Sequence, residues 1–231
     1  NVDKSGYAPV IDAVQKGYAD VVTLLIENGA NVNLRDREGF TPLMRSTMAG
    51  NTRIVHLLLE AGARVEIKDR AGVTALYRAA LSGRIEIFRA LLAAGADPKE
   101  EDTGGRTILM NAVASGKKEM VGVLLSKDID VNRQDKNGAS ALMVAANSGK
   151  QEITGMLLNK GANINATDNF GWTSLMFACR EGHYETVKTL LDKGADYKPV
   201  VKDKGYTALS IAENQGYEGI VKLLRDAGAR S

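Results

Sequence analysis

Apolar residues along the chain fall into two kinds of segment that alternate. A short apolar segment such as 43–47 precedes a longer segment, 54–59, whose apolar residues cover a broad helical face. The short segments carry a small residue at matching positions, namely Ala13, Ser46, Ala79, Ala112, Ala145, Ala178 and Ala212. The pattern predicts pairs of helices, in which the small residues allow neighbouring first helices to approach closely.

Residues with special backbone preferences mark where these helices begin and end. Thr41 and Pro42 predict a helix start, since a threonine hydroxyl caps free amides and proline is accepted at the first helical position. Gly50 predicts its end, because glycine adopts a left-handed conformation at little cost. Thr52 opens the second helix and Gly62 stops it.

An Asp-x-x-Gly step recurs with a fixed period of 33 residues along the chain. Its glycines are Gly6, Gly39, Gly72, Gly105, Gly138, Gly171 and, one residue late, Gly205. A period in this range indicates stacked supersecondary units that bury a shared core. We therefore predict a single domain over residues 1–231, with repeats at approximately 3–35, 36–68, 69–101, 102–134, 135–167, 168–202 and 203–231.

Several of these segments resemble the ankyrin repeat. They are Gly39-Phe40-Thr41-Pro42-Leu43, Gly171-Trp172-Thr173-Ser174-Leu175, Gly182-His183 and Gly161-Ala162-Asn163-Ile164-Asn165. The resemblance implies an all-α solenoid of stacked helix-turn-helix units with short hairpin loops. It also implies a non-enzymatic module in which hairpin tips and first helices line a concave face that contacts another protein.

The two ends and one internal junction depart from the regular pattern. Glu213 and Arg225 replace apolar residues in the last repeat, which is typical of a polar terminal cap. The first repeat has no such signature, so Val10, Ile11 and Val14 are expected to face solvent. We therefore expect that preceding residues are missing or that a partner covers this end. Pro98 and the Gly104-Gly105 pair predict that the junction of repeats 3 and 4 is the least stable part of the stack.

Composition argues against several classes of function. The net charge of +2 gives no general argument for nucleic acid or anionic lipid, and no apolar run reaches the length of a membrane helix. Cys179 is the only cysteine, so an internal disulfide is excluded and a reducing, cytoplasmic location is favoured unless a leader has been removed. We expect a monomer.

Catalytic, cofactor and metal sites are not expected. Cys179 and His183 are close in sequence, but a catalytic pair needs a cleft with a perturbed pKa, which a solenoid rarely supplies. The spacing of Cys and His matches no zinc site, and the regular glycines already have a structural role.

The candidate partner-binding residues form two groups at positions that the repeat does not need for folding. Repeats 2 to 4 contribute Arg37, Phe40, Arg45, Arg70, Tyr77, Arg78 and Arg106, and repeats 6 and 7 contribute Phe170, Trp172, Phe177, Arg180 and Tyr206. Tryptophan, tyrosine and arginine are enriched in interface hot spots. The hypothesis is that the aromatic group anchors an apolar part of the partner and the arginines recognise its acidic groups.

Alternative interpretations remain open at this stage. The arginines could simply pair with Asp36, Glu38 and Asp69 on a solvated face, where each pair contributes between 0 and about 1 kcal/mol. They could instead bind phosphorylated ligands or nucleic acid, although the small net charge argues against nucleic acid. The chain could also be a structural spacer or a targeting arm cut from a longer protein.

Overall fold

The computed structural model describes residues 9–202 and 204–230. The chain divides between Thr103 and Gly104, and the described residues on each side form a compact unit; the two are called the units 1–103 and 104–231. Each repeat contributes a first and a second helix. The first helices are α1 (Pro9–Gln15), α3 (Pro42–Ala49), α5 (Ala75–Leu81), α7 (Ile108–Ala114), α9 (Ala141–Asn147), α11 (Ser174–Arg180) and α13 (Ala208–Gln215). The second helices are α2 (Ala19–Glu27), α4 (Thr52–Glu60), α6 (Ile85–Ala93), α8 (Lys118–Leu125), α10 (Gln151–Asn159), α12 (Tyr184–Asp192) and α14 (Glu218–Asp226).

The helix boundaries in repeat 2 follow from capping residues, as predicted. The Thr41 hydroxyl accepts a hydrogen bond from the Met44 amide at 3.2 Å, and Pro42 occupies the first helical turn. Gly50 ends α3 with a φ of 75°, the left-handed conformation that glycine adopts without steric cost. The local sequence therefore determines where α3 begins and ends.

The recurring aspartate builds the hairpin that precedes the first helix in repeats 2, 3, 5 and 6. In repeat 6, one carboxylate oxygen of Asp168 accepts hydrogen bonds from the amides of Phe170 and Trp172, at 2.9 and 2.8 Å. The Asp168 amide in turn donates to the Trp172 carbonyl at 3.0 Å. Asp36, Asp69 and Asp135 accept the same pair of amide hydrogen bonds in their hairpins. The aspartate therefore fixes the loop from which the candidate binding residues project.

The core of each unit lies between the first and second helices of successive repeats. All seven small residues in the first helices are buried, and successive first helices are in contact within each unit, which confirms the predicted close approach there. Phe88, Leu58 and Leu124 are fully buried among the second helices. Burial of these apolar faces depends on the neighbouring repeat, because no pair of helices can cover its own face.

The predicted exposure of Val10, Ile11 and Val14 was wrong. Val10, Ile11 and Val14 are buried rather than exposed, since α1 packs against α2 and α3, and Leu25 and Leu34 cover part of it. Among the described residues of this repeat, the exposed large apolar side chains lie on or next to α2 instead, namely Tyr18, Val21 and Leu24.

The last repeat ends in a polar surface, as predicted. Glu213 and Arg225 are both exposed, and the Arg225 guanidinium donates a hydrogen bond to the Glu213 carboxylate at 2.8 Å. The predicted instability at the junction of repeats 3 and 4 stays a prediction. The boundary between the two compact units falls at Thr103 and Gly104.

Backbone hydrogen bonds join the hairpin tips of successive repeats in the unit 104–231. The Lys136 amide donates to the Gly104 carbonyl at 2.9 Å, and the Asn169 amide donates to the Asn137 carbonyl at 3.1 Å. The Lys202 amide continues the series by donating to the Phe170 carbonyl at 2.9 Å. These bonds fix each hairpin tip relative to the next one, so side chains on adjacent tips have defined neighbours.

Gly138→Ala is expected to destabilise the unit 104–231 by about 2–3 kcal/mol. Alanine at the left-handed φ of 81° costs about 1–2 kcal/mol, and a lost backbone hydrogen bond costs about 1 kcal/mol more. The added Cβ would lie 2.7 Å from the Asn169 amide nitrogen, so the hairpin tip of repeat 6 would have to move. Urea unfolding followed by circular dichroism measures the change.

Gly155→Ala is the matched control for this substitution. Gly155 lies inside α10, and an added Cβ would meet no atom within 4 Å. Alanine should therefore leave stability unchanged or raise it by up to about 1 kcal/mol, because glycine is a poor helix former. An equal loss of stability in both variants would show that hairpin stacking is not the cause.

Candidate functional site

The two arginines that follow the hairpins of repeats 2 and 3 are paired within the protein. Arg45 donates to Asp36 from its Nε at 2.8 Å and also contacts Glu38 at 2.7 Å, and these carboxylates raise the pKa of Arg45 although burial opposes the shift. Arg78 forms the equivalent ion pair with Asp69, whose side chain is only 1% exposed. In both repeats the arginine lies nine residues after the aspartate and ties the first helix to the hairpin.

Phe40 lies between these two arginines. Its ring centroid is 4.4 Å from the guanidinium carbon of Arg45 and 5.0 Å from that of Arg78. A guanidinium over an aromatic face is stabilising. The three side chains therefore form one cluster spanning repeats 2 and 3, which offers a partner less free charge than the sequence suggested.

The remaining residues of the first candidate group differ in how accessible they are. Arg37 and Arg70 are exposed at hairpin tips, and Arg106 is half-buried, with its Nε donating to Asn111 at 2.9 Å. Tyr77 is buried, and its hydroxyl donates to Asp102 at 2.7 Å. Of this group, Arg37 and Arg70 offer the most surface to a partner.

The second candidate group is brought together in repeats 6 and 7. Trp172 and Phe177 pack with ring centroids 5.2 Å apart. The Arg180 guanidinium carbon lies 5.0 Å from the Trp172 centroid and 5.2 Å from that of Phe177. Arg180 is held in place by Glu181 and by the Asn147 side-chain oxygen, each at 2.7 Å. The result is a fixed aromatic and guanidinium surface beside the hairpin tip.

An open cavity of about 360 Å³ lies next to this surface. We call it the Trp172 cavity; it is lined by Phe170, Trp172, Arg180, Val201, Lys202, Lys204, Tyr206, Ile211, Asn214 and Gln215. Val201 and Ile211 are buried and form its apolar base, whereas Phe170 is 64% exposed and Tyr206 is 41% exposed. The cavity therefore combines buried apolar residues with exposed aromatic rings.

Sequence reasoning missed six of the ten residues that line this cavity. It found Phe170, Trp172, Arg180 and Tyr206 but not the loop residues Val201, Lys202 and Lys204, nor Ile211, Asn214 and Gln215 on α13. The extra residue in repeat 7 was the available signal, because it changes the hairpin that faces Phe170. The Lys202 side chain reaches back to the Asn169 carbonyl at 3.0 Å, which holds this loop against the hairpin of repeat 6.

Cys179 and His183 have structural roles in this arrangement. Cys179 is fully buried in the core, and burial raises the pKa of its thiol to about 12, so little nucleophilic thiolate forms at neutral pH. The His183 Nε2 lies 3.1 Å from the Asn147 carbonyl of the preceding repeat. This contact ties together neighbouring loops.

Burial raises the pKa of Glu100. The residue is half-buried near the end of the unit 1–103, and desolvation raises its pKa although a hydrogen bond from Thr74 at 2.6 Å opposes the shift. Thr74 is the residue that caps α5, so this contact helps to fix the start of that helix.

Two searches of the described ranges, 9–202 and 204–230, bear on other classes of site. Helices in these ranges have at most nine residues, and none of them is long and apolar enough to span a bilayer. Groups of three or more His, Cys, Asp or Glu residues that could hold a metal ion are also absent from them.

Comparison with known structures shows the same architecture in other proteins. The human ASB11 ankyrin repeat domain has a TM-score of 0.85 and 26% identity, with 97% of this chain and 100% of that chain covered. The ankyrin repeat domain of Bcl-3, described as a unique member of the IkappaB protein family, has a TM-score of 0.79 and 29% identity, with 95% and 99% covered. A comparison with curated protein sequences found no match.

A family model described as ankyrin repeats in three copies matches residues 10–102, 91–168 and 142–231. These matches together span nearly the whole chain, and they agree with the helix pairs and hairpins described above. The protein therefore belongs to the ankyrin-repeat family.

Proposed function

We propose that this protein is a non-enzymatic binding module whose protein partner contacts the hairpin tips and first helices of repeats 6 and 7. Ankyrin-repeat domains generally act as protein–protein interaction modules. The observation that carries the choice of surface is the exposed pair Phe170 and Tyr206 at the mouth of the Trp172 cavity. Exposed aromatic surface beside a fixed concavity is typical of a binding site.

The rigidity of this surface also supports the proposal. Asp168 fixes the amides of Phe170 and Trp172, and the Lys202 amide fixes the Phe170 carbonyl. A surface that is already ordered loses little conformational entropy on binding. Affinity can therefore come from the aromatic contacts themselves.

The exposed arginines of repeats 2 and 3 are a second contact region in this proposal. Arg37 and Arg70 are exposed one repeat apart on hairpin tips, where they can contact acidic groups of a partner. Arg45 and Arg78 are paired with Asp36 and Asp69. This pairing weakens the case for nucleic acid as the ligand.

Site-specific photo-crosslinking tests the proposed surface. We would place a photoreactive phenylalanine analogue at Phe170 and expose the chain to lysate of its source cells, followed by mass spectrometry. We expect one protein to cross-link at this position, because the side chain is 64% exposed at the mouth of the cavity.

Tyr184 is the matched control position for this experiment. It lies in the same repeat, is also an exposed aromatic residue, and belongs to the second helix α12 rather than to a hairpin. The proposal predicts cross-links at Phe170 that are lost when unlabelled chain competes, and none of the same protein at Tyr184. Equal cross-linking at both positions would contradict the proposed surface, and no cross-linking at either position would favour a spacer role.

A further inference from the structure

We propose that the Trp172 cavity receives one large apolar side chain from an acidic segment of the partner protein. This inference rests on the proposed function and adds the chemistry of the partner to it. Three features of the cavity carry the argument: its apolar base, the guanidinium that already covers its aromatic rings, and the charge of its rim.

The interior of the cavity favours an apolar group. Val201 and Ile211 form its base, and the rings of Phe170, Trp172 and Tyr206 stand around it. The volume of about 360 Å³ lies at the lower end of the range for ligand sites, which is about 300–1,000 Å³. It accommodates one large side chain with adjoining backbone, and burying that side chain removes apolar surface from water on both partners.

A cationic occupant is disfavoured although aromatic rings surround the cavity. Rings arranged in this way can attract a cation through their faces. Here the Arg180 guanidinium already lies over both Trp172 and Phe177, at 5.0 and 5.2 Å. A second cation in the cavity would find these two rings already in contact with a guanidinium, which reduces what it could gain from them.

The described residues at the rim of the cavity include two positively charged side chains. Lys202 and Lys204 are exposed on one side of it, and none of the described residues that line it is acidic. The nearby carboxylates of Glu181 and Asp168 are engaged, by Arg180 in one case and by two backbone amides in the other. The lysines therefore attract carboxylates that flank the inserted side chain, which supplies the charge complementarity that selects the partner.

Trp172 provides a direct way to test this inference because it is the only tryptophan in the chain. The probe is a synthetic peptide, Ser-Glu-Asp-Phe-Asp-Glu-Ser, titrated against the full chain while Trp172 emission is recorded. Two matched peptides separate the two parts of the proposal. One replaces the central Phe with Ala, and the other replaces all four acidic residues with Lys.

The acidic Phe peptide is expected to bind. Each matched peptide should bind at least about tenfold more weakly, because loss of a buried aromatic anchor and reversal of the peptide charge each lower affinity by at least that factor. Raising NaCl from about 50 to about 500 mM should weaken the acidic Phe peptide, because exposed charges are screened. Equal binding of the Lys peptide, or of the Ala peptide, would overturn the inference.

Charge reversal on the protein gives an independent test. The variant Lys202→Glu, Lys204→Glu should lose the acidic peptide and gain affinity for the Lys peptide. The control variant Lys188→Glu, Lys222→Glu makes the same change in net charge. Its two positions lie on the second helices α12 and α14, outside the cavity. This control should bind the acidic peptide as tightly as the original chain does. Equal loss in both variants would overturn the inference, since the effect would then come from net charge alone.

These outcomes separate the inference from the proposed function. Cross-linking at Phe170 combined with no preference for the acidic Phe peptide would leave the binding surface in place and reject the stated chemistry. If no protein cross-links at Phe170 but the acidic Phe peptide binds selectively, the chemistry of the cavity is supported. The proposal that a protein in that lysate binds this surface is then rejected.

Discussion

Replacing Trp172 with alanine is expected to weaken binding of the cross-linked partner by about thirtyfold or more, since hot-spot aromatics contribute about 2 kcal/mol or more. The indole packs against Phe177 and under Arg180, so its loss removes both a wall of the cavity and the support for the guanidinium. Most of the change should appear as faster dissociation, because substitutions in one interface affect association less. Surface plasmon resonance with the purified partner measures both rates.

Stability must be separated from binding in this experiment. Trp172 is half-buried and packs against the core of repeats 6 and 7, so its removal also lowers the free energy of unfolding. Phe170→Ala provides a cleaner variant because that ring is largely exposed, and Tyr184→Ala provides a matched control on α12. Unchanged affinity in both Trp172→Ala and Phe170→Ala would reject this surface as the binding site.

Asp69→Ala is expected to destabilise the unit 1–103 by about 3–5 kcal/mol, since breaking a buried ion pair has a cost of this size. One carboxylate oxygen accepts hydrogen bonds from the amides of Ala71 and Val73, at 2.8 and 3.2 Å. The other oxygen pairs with the Arg78 guanidinium. Alanine would leave these amides without their acceptor and the half-buried guanidinium without its carboxylate.

An exposed ion pair in the same unit provides the control for Asp69→Ala. Asp20 pairs with Arg53 at 2.8 Å, but their side chains are 90% and 69% exposed. Asp20→Ala should therefore lower the free energy of unfolding by no more than about 1 kcal/mol.

Asp69→Asn should give an intermediate loss of stability, because the amide oxygen still accepts the two backbone hydrogen bonds. Urea unfolding measures all three variants, and equal losses for Asp69→Ala and Asp20→Ala would show that burial of the pair does not matter.

The Asp69 pair also changes how the arginines should be tested. The sequence places Arg45 and Arg78 one repeat apart, which suggested a row of free cations on the binding face. In the folded protein, Arg78→Ala would leave a buried carboxylate unpaired and so would lower stability as well as charge. Arg70→Ala avoids this problem, since Arg70 is exposed at its hairpin tip.

The first repeat shows where reasoning from the repeat pattern fails. The absence of a polar cap suggested that α1 would expose Val10, Ile11 and Val14. Instead α1 is covered by its own repeat and the next one, and the exposed apolar residues Val21 and Leu24 lie on α2. A helix of this length has several faces, and only the packing of its neighbours decides which face remains uncovered.

The sequence by itself determined the repeat period, the helix boundaries and the small residues of the first helices. Those features depend on local backbone preferences, such as the caps at Thr41 and Gly50, repeated often enough to be recognised. Only the tertiary structure decided that Arg45 and Arg78 are neutralised and that Lys202 and Lys204 complete the Trp172 cavity. These outcomes depend on how a hairpin folds back onto its helix and onto the next hairpin. The energies of such contacts are set by distance and burial rather than by position along the chain.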